Sequence, residues 1–288
     1  MPSTRPVVLI TGCSSGIGRA LAQAFHARNW QVYATARNRE ALQPLAAQGM
    51  HIAALDVTDG ASIASLVRLL EQQGVAVDML INNAGYGQMG PLAELDEEAL
   101  RAQFETNVIG LMAVTRALLP GMIARRRGCI VNIGSVSGIL VTPFAGAYCA
   151  SKAAVHALSA ALRMELAPFG IRVVTVQPGA IRSEFGANAT RVLPESISKA
   201  SIYAPVADAI AARANASQQH ATPAEVFAQQ LVAALLRDPP PAVLRIGRGS
   251  HLLPALARWL PRTLRDRLLA RRFHLPRLRT PEAGPARG

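Results

Sequence analysis

The chain reads as a doubly wound parallel α/β sheet, and three features of its 288 residues carry that reading. Seven short runs rich in β-branched residues recur along it. Each is apolar at consecutive positions, as a strand covered on both faces must be, and helix-length segments separate one run from the next, as parallel crossovers require. Apolar residues make up 50% of the chain, enough for one sizeable core.

The strands are expected at residues 7–11 (VVLIT), 31–36 (QVYATA), 51–57 (HIAALDV), 78–84 (DMLINNA), 129–135 (CIVNIGS), 172–178 (RVVTVQP) and 242–247 (AVLRIG). The first enters the glycine turn TGCSSGIG, which opens the helical stretch RALAQAFHARN. At 238–242, DPPPA is a stiff turn into the seventh strand. Beyond Gly249, LLPALARWLPRTLRDRLLARRF reads as two short helices with Pro254 and Pro261 in first-turn positions. The organisation expected is one body over residues 1–248 and a basic helical extension over 249–288.

The formal charge of +12 belongs mostly to that extension. From Arg245 onward eleven arginines face only Asp266 and Glu282, which is +9 of the total. Aromatics are few there and no nucleic-acid reader motif is present, so no nucleic-acid partner is expected. Two readings of the extension remain open. It covers a cleft or an oligomer interface, or Leu252, Leu256, Trp259, Leu260, Leu264 and Leu268 meet acyl chains while arginines meet anionic headgroups; the first is preferred. Cys13, Cys129 and Cys149 are scattered, with no Cys-x-x-Cys pair or histidine at ligand spacing, so no metal site and a reducing, cytoplasmic setting are expected. The apolar run near the N-terminus is too short for a signal peptide, and no stretch approaches 18 uninterrupted apolar residues.

Gly12, Gly16 and Gly18 let a backbone approach a diphosphate, whose charge then sits against the amide end of the first helix. The same letters, Gly12-Cys13-Ser14-Ser15-Gly16, satisfy the Gly-x-Ser-x-Gly elbow of serine hydrolases. That alternative makes Ser14 a nucleophile but leaves Gly18 without a role. A phosphate loop of the Gly-Lys-Ser/Thr type is excluded, because no lysine follows. The second strand ends in Ala36, Arg37 and, two residues on, Arg39, where an acid would bind ribose hydroxyls. A guanidinium there pairs with a 2′-phosphate, so NADP(H) is favoured over NAD(H). After the third strand, Asp56 either accepts a hydrogen bond from adenine or caps the helix beginning near Asp59.

Tyr148 and Lys152 stand four apart, on one face of a helix. Lys152 is one of only two lysines in an arginine-rich chain, and its ammonium is expected to lower the phenol pKa toward the range of a general acid-base. Ser135 ends the fifth strand at the edge where such sheets bind ligands. Its hydroxyl can hold a substrate oxygen beside the phenol.

Thr11-Gly12-x-x-x-Gly16-x-Gly18, Asn82-Asn83-Ala84-Gly85, Asn107 in NVIG, Ser135, Tyr148-x-x-x-Lys152 and Pro178-Gly179 together resemble the short-chain dehydrogenase/reductase family over about residues 7–184. YATARN is similar to its steroid and retinol dehydrogenase branch. The resemblance implies a seven-stranded Rossmann sheet, hydride transfer between nicotinamide and a carbonyl or secondary alcohol, and a homodimer or homotetramer. Tyr148 is then the proton donor and acceptor, Lys152 lowers its pKa and binds the nicotinamide ribose, Ser135 orients the substrate oxygen, and Asn107 holds a water linking Lys152 to solvent. Dinucleotide contacts are implied for Gly12, Ser14, Ser15, Gly16, Ile17, Gly18, Arg37, Asp56, Val57, Asn83, Ala84, Gly85, Tyr148, Lys152, Pro178, Gly179 and Ile181. Two positions depart from the family pattern: Ser15, where many NADP-preferring members carry a basic residue, and Ser183, where threonine is common. Phe185, Leu193, Ile202 and Tyr203, with Ile139, Leu140 and Phe144, suggest an apolar pocket for a hydrophobic alcohol or carbonyl compound. A dinucleotide-binding sensor without turnover is the rival from another class, and the complete Asn107, Ser135, Tyr148 and Lys152 set argues against it.

Overall fold

The computed structural model describes residues 5–183, 201–216, 218 and 220–278. Seven strands, β1 Val7–Ile10, β2 Gln31–Ala36, β3 His51–Ala54, β4 Met79–Asn82, β5 Gly128–Ile133, β6 Ile171–Pro178 and β7 Val243–Ile246, form one sheet in the order β3-β2-β1-β4-β5-β6-β7. Every neighbouring pair is parallel. The helices are α1 Gly16–His26, α2 Gln43–Ala46, α3 Gly60–Gln72, α4 Glu97–Phe104, α5 Leu111–Ala124, α6 Gly146–Leu166, α7 Ala207–Asn215, α8 Ala224–Leu235, α9 Leu252–Trp259 and α10 Arg262–Arg272.

The unbroken apolar runs have a simple cause. Val8 and Ile10 of β1 face Leu21, Phe25, Phe227 and Leu231 of α1 and α8, whereas Val7 and Leu9 face the layer that holds Leu66, Val114, Met122 and Leu162 of α3, α5 and α6. Both faces of the central strands are therefore core. The observed strands end one to three residues short of several sequence runs, because Thr11, Asn83, Ala84 and Ser135 leave the ladder at its carboxyl edge. Those departures build the cleft.

Asp59, not Asp56, caps α3, accepting from the amides of Ala61 and Ser62 at 2.9 and 3.2 Å. Asp56 folds into its own turn, accepting from the Thr58 amide and hydroxyl. The capping reading of Asp56 is thereby corrected. Among the described residues one helical run, Glu97–Ala124, is long and apolar enough by length and composition to cross a membrane. Here one face of it packs on the core, with Val108, Leu111, Val114 and Met122 buried, while Leu100 and Ile109 are exposed. The two helices expected beyond Gly249 are α9 and α10, with Pro261 at the N-cap of α10 and Pro254 in the first turn of α9.

Candidate active site

A cleft of about 930 Å³ opens along the carboxyl edge of the sheet, across the point between β1 and β4 where the strand order reverses. At that point Thr11 and Asn83 bind one loop to the other. The Thr11 hydroxyl accepts from the amides of Asn83 and Ala84 at 3.0 and 2.9 Å, and the Asn83 side-chain amide donates to the carbonyls of Thr11 and Gly12 at 2.9 and 3.0 Å. A Cβ on Gly18 would stand 2.2 Å from the Gly12 carbonyl oxygen and 2.6 Å from Asn83 Nδ2, so only glycine allows the turn to close this tightly. Ser15 is the N-cap of α1 and makes no side-chain cap, which leaves the first amides of the helix facing the cleft.

Gly12, Ser14, Ser15, Gly16, Ile17, Gly18, Arg37, Asp56, Val57, Asn83, Ala84 and Gly85 all line this end, and Pro178, Gly179 and Ile181 line the stretch after β6. Arg39 does not; it lines a separate hollow with Tyr33 and His51. Ser14 engages Arg19 through its backbone carbonyl. The Asp56 carboxyl is held below the ordinary value by the Thr58 amide and hydroxyl, with Arg37 adding to the effect.

Ser135, Tyr148 and Lys152 meet at the middle of the same cleft, each less than a tenth exposed. Ser135 hydrogen-bonds the Tyr148 side chain and accepts from the Ser137 amide at 3.1 Å. Lys152 Nζ donates to the Ile133 carbonyl at 2.8 Å and lies 6.0 Å from the centre of the Tyr148 ring. Burial lowers the Lys152 pKa to about 8 and raises that of Tyr148 to about 12, where the Ser135 hydrogen bond and the Arg213 charge only partly offset it. The expected lowering of the phenol by Lys152 is not what this arrangement shows. Desolvation of a wholly enclosed phenol outweighs its neighbours.

Asn107 does not line the cleft. It sits in a π-helical turn, Glu105–Gly110, between α4 and α5, and such turns recur at functional sites. Its side chain accepts from the Tyr86 amide at 3.1 Å and donates to the Tyr86 carbonyl and Ser151 hydroxyl at 3.0 and 3.1 Å. A Cβ on Gly85 would lie 2.8 Å from Asn107 Oδ1 and 3.7 Å from Lys152 Nζ, which places both side chains directly behind that glycine.

Two polar residues of the centre escaped the sequence reading. His156, one helical turn past Lys152, accepts the Ser135 amide at Nε2, 3.4 Å away, and burial with the charges of Lys152 and Arg245 pushes its pKa down to about 4. The spacing of Tyr148, Lys152 and His156, four and four again, was the available signal. Arg213 of α7 also lines the cleft, 8% exposed, with Nε donating to Thr142 Oγ1 at 2.7 Å.

The far end of the cleft is covered by the C-terminal helices, which contribute Leu253, Leu269 and Arg272, followed by Phe273. Phe144 packs edge-on against Tyr203 and Phe273, with ring centres 6.1 and 6.3 Å away. Of the apolar residues expected to line the pocket, Leu140 does, Phe144 and Tyr203 pack beneath the cover, Ile139 lies outside, and Ile202 is exposed. Phe185 and Leu193 lie outside the described residues. Phe144 and Tyr203 pack against Phe273 as any apolar cluster does, and a linear pattern does not say which face of a loop meets a ligand. Among the described residues no group of three His, Cys, Asp or Glu side chains is placed to hold a metal ion.

A family model described as short chain dehydrogenase matches residues 6–192. Short-chain dehydrogenase ptmH of Penicillium ochrochloron is 38% identical over 266 residues, covering 91% of this chain and 96% of the relative. A solved short-chain dehydrogenase from Streptomyces avermitilis superposes with a TM-score of 0.76 at 34% identity, covering 96% of this chain and 98% of that one. A short chain dehydrogenase from Burkholderia cenocepacia J2315, solved in complex with NADP, gives 0.72 at 26% identity over 93% and 99% of the two chains.

Proposed function

The chain belongs to the short-chain dehydrogenase/reductase family and is an NAD(P)-dependent dehydrogenase acting on CH–OH groups; we propose that within it NADP(H) is the preferred cofactor and the substrate a carbonyl or secondary alcohol on an apolar body. The observation that carries the assignment of roles is the meeting of Ser135, Tyr148 and Lys152 in the cleft that the glycine turn opens. The fit of a dinucleotide rests on that turn: the space a Cβ at Gly18 would fill is already closed by Gly12 and Asn83, and the first amides of α1 carry no side-chain cap. Gly12 to Gly18, Asp56, Val57 and Asn83 to Gly85 would hold the adenosine and diphosphate, and Pro178, Gly179 and Ile181 the nicotinamide side.

Ala36 ends β2 without a carboxylate, and Arg37 lines the cleft beside Asp56. A guanidinium at that position favours a 2′-phosphate. The Burkholderia cenocepacia relative solved with NADP supports the same choice.

The bound nicotinamide supplies or accepts the hydride. In reduction the Tyr148 hydroxyl gives its proton to the carbonyl oxygen, which Ser135 holds by a second hydrogen bond; in oxidation the proton travels back. His156 keeps Ser135 in place by accepting its amide. Lys152 answers why a lysine stands in an arginine-rich chain. An ammonium whose pKa is near 8 can release and regain a proton close to neutrality, which a guanidinium cannot. Asn107, fixed behind Gly85, completes the buried polar path next to Lys152.

Tyr148→Phe tests this reading in a panel of aldehydes, ketones and alcohols followed at the nicotinamide absorbance with both cofactors. Turnover should fall about 10²- to 10⁴-fold, the usual worth of general acid-base catalysis, while nucleotide affinity stays close to that of the parent chain. Retention of more than about a tenth of the parent rate removes Tyr148 from the proton step.

A further inference from the structure

We propose that Arg213 makes this cleft selective for carbonyl or alcohol substrates that carry an anionic group, a carboxylate in the first instance. The inference rests on the oxidoreductase reading and adds to it the chemical class of the substrate. Arg213 is 8% exposed and lines the cleft that holds Ser135 and Tyr148. Its helix packs there, with Ala214 in one buried cluster with Tyr148 and Cys149. Thr142 takes Nε at 2.7 Å, which fixes the plane of the guanidinium, and the Cys149 side chain also hydrogen-bonds it.

Among the described residues no carboxylate comes within ion-pair distance of Arg213; Asp208, the acid of the same helix, is committed to Arg277 and His274. A buried cation is normally paired, and leaving one without a counter-ion is strongly unfavourable. A guanidinium held by Nε presents its remaining donors as a fork that matches a carboxylate. An anionic substrate in the cleft would give Arg213 the counter-charge that no described carboxylate supplies. Leu140, Leu269 and Phe273 offer apolar wall for the rest of such a molecule, and Arg272 lines the cleft from the C-terminal cover as a second, exposed cation. Exposed charge of that sign raises the rate at which anions arrive.

Arg213 also acts on Tyr148 through its charge, so a role confined to tuning the phenol is the competing account. The two differ in what they do to neutral substrates. Tuning affects every substrate equally; anion recognition affects only the charged one.

The test uses the full chain with NADPH and a series of oxoalkanoates, from 2-oxooctanoate to 6-oxooctanoate, each beside its methyl ester. At the spacing that reaches Arg213, kcat/KM should favour the acid over the ester by about ten- to hundredfold, the range for a hydrogen bond to a charged group. Arg213→Met should shrink the acid-to-ester ratio at least tenfold, and Arg213→Lys should retain part of it. A ratio near one across the whole series, or an equal loss on acid and ester in Arg213→Met together with a displaced pH profile, overturns the proposal. Octanoate and octanamide binding to the NADP+-loaded chain, measured by calorimetry, supplies a readout without turnover: octanoate should bind at least tenfold more tightly, and equal or absent binding of both counts against the inference. Ester reduction with no preference for acids would leave the oxidoreductase roles standing while the inference falls. An undiminished rate in Tyr148→Phe would remove those roles without touching the acid-to-ester ratio.

Discussion

At the β1–β4 end of the cleft, positions are set on the backbone: short loops follow the strands at once, Gly18 lets backbone approach the Gly12 carbonyl closely, and the Thr11 hydroxyl and Asn83 side-chain amide each bond main-chain groups of the neighbouring loop. At the other end, positions are set where side chain meets side chain. Arg213 meets Thr142 across 71 residues, Arg277 meets Asp208 across 69, and Phe144 meets Phe273. The first end needs particular residue types at fixed spacing, since close backbone approach tolerates little else. The second needs only that distant surfaces fit, which many sequences satisfy. A nucleotide common to a whole family can be bound by the first kind of construction, while individual substrates call for the second.

The sharpest way to break this contrast is Gly18→Ala. The added carbon would meet the Gly12 carbonyl at 2.2 Å, a backbone atom with no side-chain freedom to yield, and Asn83 Nδ2 at 2.6 Å. Separation of the two loops by about 1 Å would misplace every donor at this end, an error that costs on the order of a hundredfold. Nucleotide affinity should fall by at least that factor in a direct titration, with circular dichroism confirming a folded chain. A variant that binds NADPH normally would show that the loop is held by something other than close backbone packing.

The same contrast explains what could be read from the residues alone. The glycine turn was legible because it follows a strand directly and its glycines answer a local demand, whereas Asn83 to Gly85 and Pro178 to Ile181 were reached through the family resemblance; all of them line the cleft. Seven strands and their parallel order were legible from the residues as well, since uninterrupted apolar runs have few other uses. Arg213 was not. In DAIAARANAS it looks like one more solvated arginine, and only the packing of α7 on Tyr148 and Cys149 turns it inward. The π-helical turn at Asn107 was equally hidden, because one extra residue in a helical turn leaves the apolar period nearly unchanged. The phenol pKa needed the three-dimensional burial of Tyr148, which no spacing of four to a lysine reveals.

Cofactor choice sharpens the contrast from within the nucleotide end, because Arg37 is a long, exposed side chain at an end built around close backbone approach. Arg37→Ala should weaken NADPH by about ten- to hundredfold, the loss of one charge-assisted hydrogen bond, and leave NADH almost unchanged. Parallel titrations of both cofactors read the difference. An equal loss for the two would move Arg37 from phosphate recognition to general loop support, and a parent chain that prefers NADH would remove the strand-two argument altogether.

The smallest effect is expected at the outer tie of the substrate end. Asp208 on α7 accepts from Arg277 at 3.0 Å and faces His274 at 3.4 Å, joining the helix that carries Arg213 to the C-terminal cover. Its carboxyl is held below the ordinary 3.8, first by the Arg277 hydrogen bond. A carboxylate depressed in the folded state contributes fully above its unfolded value and loses that contribution as pH falls through the folded one, so the tie is constant at neutral pH. It is also solvent-exposed, and exposed pairs contribute little and weaken in salt. Asp208→Asn should therefore raise KM only about two- to fourfold, without altering nucleotide affinity, and the difference from the parent should close at high ionic strength. A much larger rise, or one that persists in salt, would mean that α7 is positioned mainly by this pair rather than by the packing of Phe144, Ile210 and Phe273 beneath it. In that case the substrate end would share the dependence on single fixed contacts that marks the nucleotide end, and the division between the two would lose its physical basis.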